Sequence, residues 1–166
     1  MTCLVRDYRD SDLDAAAALC DARRRAYAEH QPTFWRPAAG AAEVGRAFLA
    51  EQAARDSTLA VVHETGGAVD GFLLASVVDA PPVYDPGGRT CAIDDFAVRD
   101  PSLWAHAGPE LLAYVARLAR ERGAVQCVVV TSARDLAKRD ALSRLGGSVA
   151  SEWYVLDVAQ LAPDAR

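Results

Sequence analysis

Two periods of hydrophobicity run through this chain, and together they predict an alternation of strands and helices. The clearest unit spans residues 90–122. Its first part, Cys91-Ala92-Ile93-Asp94-Asp95-Phe96-Ala97-Val98, is apolar except for two adjacent carboxylates and reads as a strand over 90–98. A short loop over 99–107 leads into a helix over 108–122. Leu111, Leu112, Val115, Leu118 and Ala119 give that helix the stripe expected of one packed on a sheet. Pro109 suits its first turn, and Gly123 suits its C-cap.

The rest of the chain follows the same logic. Residues 3–9 form a short strand. Ser11 is placed to cap a helix that buries Leu13, Ala16, Ala17, Cys20 and Tyr27 and fails at 29–32, where Pro32 ends it. Residues 32–40 are irregular. A second helix over 41–55 turns Val44 and Phe48 inward. Strands over 58–64 and 69–79 flank Thr65-Gly66-Gly67, a hairpin turn, and a Pro- and Gly-rich loop covers 80–88. Residues 125–132 form a continuous apolar run, expected as a strand buried on both faces. A helix over 135–145 stops at Gly146-Gly147, and a last strand is expected over 148–158 with Trp153, Val155 and Leu156. This order predicts one α/β (α+β) domain over 1–166. Its mixed sheet carries helices on both faces and a parallel crossover through the 90–132 unit.

Composition narrows the classes. The 166 residues, 51% apolar and 25% charged, suffice for one real core. A net charge of −5 and no basic run beyond Arg23-Arg24-Arg25 argue against nucleic acid as a partner. The four cysteines, Cys3, Cys20, Cys91 and Cys127, are widely spaced without a CxxC pair, which favours a reduced, cytoplasmic compartment. No apolar run reaches the length of a membrane span, and no signal-peptide pattern opens the chain. Lysine is almost absent, with only Lys138.

The chemistry concentrates in the central unit. A loop opening into a helix N-terminus presents free amides to an anion. Asp94 and Asp95 stand on opposite faces of a regular strand, and a carboxylate inside an apolar strand needs a partner or a task. Phe34, Trp35 and Tyr84 either line a pocket or fasten two long loops to the core. Trp104 either covers a ligand or packs on a neighbouring helix. His30 and His63 have no partner spacing. No cluster has metal-ligand spacing, so no metal is expected.

Element order, the strand Ile93-Asp94-Asp95-Phe96-Ala97-Val98 and the helix end Arg144-Leu145-Gly146-Gly147 resemble the GCN5-related N-acetyltransferases over nearly the whole chain. The last of these matches is similar to the family's Lys-Leu-Gly-Phe. The resemblance implies a splayed parallel strand pair in a mostly antiparallel sheet, with acetyl-CoA as co-substrate. It also implies direct attack by a primary amine of a small molecule or peptide N-terminus. Cofactor contacts would come from Phe96, Ala97, Val98, Trp104, His106, Ala107, Gly108 and Asp135, with an N–H near Ala97 polarising the thioester. Asp94 or Asp95 would take the proton, and Phe34, Trp35 and Tyr84 would face the acceptor. Members often dimerise through the last strands, so a homodimer is the assembly suggested. Asp135 stands where the family often has Asn, and three further positions depart from the family pattern. Leu103 and His106 stand where Gln or Arg and a Gly are usual in the pyrophosphate loop, and Leu142 stands where many members have Tyr. These departures leave a second reading beside the transferase: a catalytically degenerate protein of the same fold that binds coenzyme A or another ligand, or regulates.

Overall fold

The computed structural model describes residues 2–162. Five strands form one sheet in sequence order: β1 (Cys3–Asp7), β2 (Thr58–Thr65), β3 (Ala68–Val78), β4 (Arg89–Val98) and β5 (Ala124–Val129). The first four are antiparallel neighbours, and β5 runs parallel to β4. The β2–β3 turn forms because Gly66 and Gly67 both take positive φ (60° and 85°), the pair of values that a twisted two-residue hairpin requires.

Helices cover both faces. On one side lie α1 (Leu13–His30) and α2 (Ala41–Ala53), over Ala16, Leu19, Cys20, Leu49, Val62 and Phe72. On the other lies α3 (Ala107–Glu121), whose Leu111, Val115 and Ala119 meet Val61, Leu73 and Ile93. The helix α4 (Leu136–Arg144) follows β5, and a single turn, α5 (Val158–Leu161), lies near the chain's end. The mixed sheet, the helices on both faces and the β4–α3–β5 crossover are as expected from the sequence. No helix among the described residues is long and apolar enough to cross a membrane.

Four local expectations fail. Ser11 does not cap α1: it lies in a 3-10 turn at Asp10–Asp12, and α1 starts at Leu13. There the carboxylate of Asp12 accepts from the Arg9 amide and from Arg6. Val44 and Phe48 are exposed, Phe48 by 52%. The inward face of α2 carries Gly45, which lies against the Arg24 guanidinium of α1, and Leu49 one turn on. β5 is shorter than the 125–132 run and is an edge strand, paired with β4 alone among the described residues, and its Val125 is 55% exposed. Residues 148–157 pair with no strand, and Trp153 is 80% exposed. The apolar pattern there is strand-like, but a strand exists only with a neighbour, and β5 keeps its outer edge unpaired.

Candidate active site at the parting of two parallel strands

Register decides where the two carboxylates point. Across β3 and β4, Leu74 faces Asp95 and Ala75 faces Ile93, so Asp94 is the extra residue of a β-bulge. Cys91, Ile93 and Phe96 belong to the core under α3, whereas Ala97 belongs to the core under α1 and α2. The bulge therefore breaks the alternation and sends both Asp94 and Asp95 toward α1 and α2, not to opposite faces. They line a small cavity of 60 Å³ with Phe48, Gln52, Leu74 and Ser76. The two acids differ in partners. Asp95 is ion-paired with Arg23 of α1, which also donates to the Asp94 carbonyl at 2.8 Å. The Asp94 carboxylate is exposed and has no hydrogen-bond or ionic partner among the described residues.

The parallel pair parts just beyond this point. Ile93 opposite Val129 is the last paired position, and the last bond runs from the Val130 amide to the Ile93 carbonyl at 3.1 Å. β4 continues to Val98 on β3 alone, so a wedge opens between the strand ends. The Phe96 carbonyl faces this wedge. Strand alternation then turns the peptide groups of Phe96 and Val98 toward it, while Ala97, opposite Phe72, turns its own toward β3. The amides available in the wedge are thus those flanking Ala97 rather than its own.

One side chain fills the wedge. The Lys138 ammonium of α4 donates to the carbonyls of Phe96 (3.1 Å) and Val130 (2.9 Å), bridging the two strands, and Lys138 is 0% exposed. Burial lowers its pKa to about 7. The charge of Arg23 adds to that effect, while Asp135 and Asp95 oppose it. The rings of Phe96 and Trp104 lie 5.1 and 5.4 Å from Nζ. Asp135 caps α4 by accepting from the Lys138 amide, and it also accepts from the Tyr27 hydroxyl at 2.9 Å. Its carboxylate is thereby engaged in holding α1 to α4.

Below the wedge, the loop after β4 forms a 3-10 turn, Pro101–Ala105, capped by Asp100. Trp104 is buried there (7% exposed), edge-on to Phe96 at 4.8 Å and flat against Gly108. Gly108 has room for no Cβ, since one would stand 2.6 Å from the indole. Ala107 is buried and His106 is exposed immediately before the helix. Phe34 and Trp35 come together at 4.7 Å, with Tyr27 and Trp153 completing an aromatic cluster. Tyr84 stands apart from them, exposed on the 80–88 loop.

Several groups escaped sequence reasoning. Arg23 stands out only within the basic run Arg23-Arg24-Arg25, and Lys138 announces itself only as the chain's single lysine. Two of the three histidines have hydrogen-bond partners, His30 with Ser132 (2.8 Å) and the buried His63 with Asp70 (2.5 Å). No group of side chains among the described residues is arranged to hold a metal. A larger cavity of 320 Å³, lined by Asp7, Thr58, Glu121 and Arg122 among others, lies at the opposite end of the strands and holds none of the candidate residues.

The whole architecture is matched by solved structures. A predicted acetyltransferase from Clostridium acetobutylicum, solved with acetyl-CoA, superposes with a TM-score of 0.71 at 16% identity, covering 96% of this chain and 98% of that one. The fold is that of the GCN5-related N-acetyltransferases. Ribosomal-protein-alanine N-acetyltransferase from Brucella melitensis biovar Abortus 2308 shares this acetyltransferase fold (TM-score 0.66, 15% identity, 94% of this chain and 99% of that one). A transcriptional regulator from Bacillus halodurans C-125 also shares it (0.69, 14%, 94% and 99%). No protein-family model matches the chain, and no curated protein matches it in sequence.

Proposed function

We propose that this protein is an N-acetyltransferase that moves an acetyl group from acetyl-CoA to a primary amine of a small molecule or a peptide N-terminus. The parting of β4 from β5 carries the reading, because it leaves strand peptide groups facing a wedge of the kind that pairs with an amide-bearing coenzyme arm. The solved acetyltransferases of the same fold support it. In this reading the amine attacks the thioester carbonyl, a C–N bond forms and the C–S bond breaks, and the thiolate leaves. The amides of Phe96 and Val98 stabilise the developing oxyanion. The unpartnered carboxylate of Asp94 receives the ammonium proton directly or through water, while Asp95, held by Arg23, shapes the bulge. The first-turn amides of α3 at Ala107 and Gly108 receive the coenzyme's phosphates, without help from Pro109. The cluster of Phe34, Trp35 and Trp153 faces the acceptor. Four free cysteines support a reducing, cytoplasmic setting.

Thiol release from acetyl-CoA over a panel of amines tests the proposal, with release expected for at least one acceptor. The occupied wedge favours one alternative, a protein of this fold that binds coenzyme A without turnover. Coenzyme binding with no thiol release on any acceptor would select it.

A further inference from the structure

The one lysine of the chain is also the most enclosed ionisable group among the described residues, and its position is unusual. Its side chain rises from α4 and ends with Nζ between the carbonyls of Phe96 and Val130 and near the rings of Phe96 and Trp104. Those carbonyls belong to the two strands at the point where they separate. An amine that donates to both replaces the inter-strand hydrogen bonds that end at Ile93 and Val130. It also uses an acceptor that an amide-bearing arm entering the wedge would need.

We propose that Lys138 decides whether the wedge admits the coenzyme: its side chain occupies the arm's place, and the arm enters only by exchanging with it at the Phe96 carbonyl. This inference rests on the acetyltransferase reading and adds to it the residue that governs coenzyme access. The exchange is chemically matched. An N–H of the arm takes over the Phe96 acceptor, and the displaced amine moves to water, where it is hydrated and held as the ammonium.

The charged and titratable groups facing Nζ are Arg23 and Cys20 on α1, Asp95 on β4 and Asp135 at the cap of α4. Arg23 opposes the charged form, and the two carboxylates favour it. With burial as the main cause, the enclosed amine titrates near about 7, whereas a solvated lysine does so near about 10.4. Between those values, expelling the side chain therefore takes up a proton from solution.

Calorimetry with coenzyme A on the full chain tests the proposal, using wild type, Lys138→Ala and Lys138→Met at pH 8 in two buffers of different ionisation enthalpy. We expect Lys138→Ala to bind at least tenfold more tightly than wild type, and Lys138→Met, which keeps the bulk, to gain less. Wild type takes up protons on binding, and neither variant does. As a second readout, reductive methylation followed by peptide mass analysis follows the only ε-amine of the chain. It is slow in the free protein and faster with coenzyme A present. Equal or weaker binding by Lys138→Ala, no proton uptake by wild type, or methylation that is fast without coenzyme overturns the role of Lys138 and leaves the transferase reading standing. Absence of binding by all three proteins at millimolar coenzyme overturns that reading and the inference with it.

Discussion

Gly108→Ala should destabilise this protein when Trp104 is present and stabilise it when Trp104 is gone. An ideal Cβ at Gly108 would lie 2.6 Å from Cε3 and 3.1 Å from Cζ3 of the indole. Trp104 cannot retreat easily, because its other edge meets Phe96 at 4.8 Å in a buried site. Overpacking of this kind costs about 1–3 kcal/mol. Trp104→Ala alone removes a buried aromatic and costs about 3–5 kcal/mol. With the indole absent, the new methyl meets no clash, and replacing a helical Gly by Ala gains up to about 1 kcal/mol. The two substitutions should therefore couple by roughly 2–4 kcal/mol, against about 0.5 kcal/mol for residues that do not touch. Urea unfolding of the wild type, both single variants and the double variant, followed by far-UV circular dichroism, measures the coupling. In thermal melts, each kcal/mol corresponds to about 2–4 °C for a chain of this size. If Gly108→Ala lowered stability equally in both backgrounds, the indole would not be seated on the start of α3, and the account of this loop would be wrong.

Asp94→Asn should lower thiol release by about 10²–10⁴-fold and move the optimum to higher pH, where the amine deprotonates unaided; an unchanged pH profile would assign the proton to water. Asp95→Asn should act mainly on stability, by about 1–3 kcal/mol in urea titrations, because it leaves the half-buried Arg23 guanidinium without its carboxylate. The Asp12 carboxyl is held below its ordinary value, chiefly by hydrogen bonds from Arg6. Its contribution is thus present above about pH 4 and lost as the pH falls through the lowered value. Asp12→Asn should flatten that acid limb of stability, whereas an unchanged limb would show that other carboxylates set it. Cys127, whose thiol is held below its ordinary value by the neighbouring Cys91, should react with iodoacetamide at pH 7 faster than Cys3, and Cys91→Ala should abolish the difference.

The amino-acid order alone determined the elements whose signals lie within a few residues. The stripe of Leu111, Val115 and Ala119 specified α3 and its buried face, and Gly66-Gly67 specified a turn with two positive φ angles. The adjacent carboxylates marked the strand around which the candidate site is built. Tertiary structure decided everything that depends on a distant partner. It is pairing with β3 that makes Asp94 a bulge residue and gathers both acids on one face. Docking of α2 on α1 and the sheet leaves Leu49, rather than Phe48, buried. The 148–157 segment shows the limit most plainly, since an apolar alternation specifies which residues would share a face but not whether a neighbouring edge is there to meet it. The same holds for Lys138. Its role in closing the wedge arises from carbonyls 42 and 8 residues away in the chain, brought together only because two parallel strands diverge there.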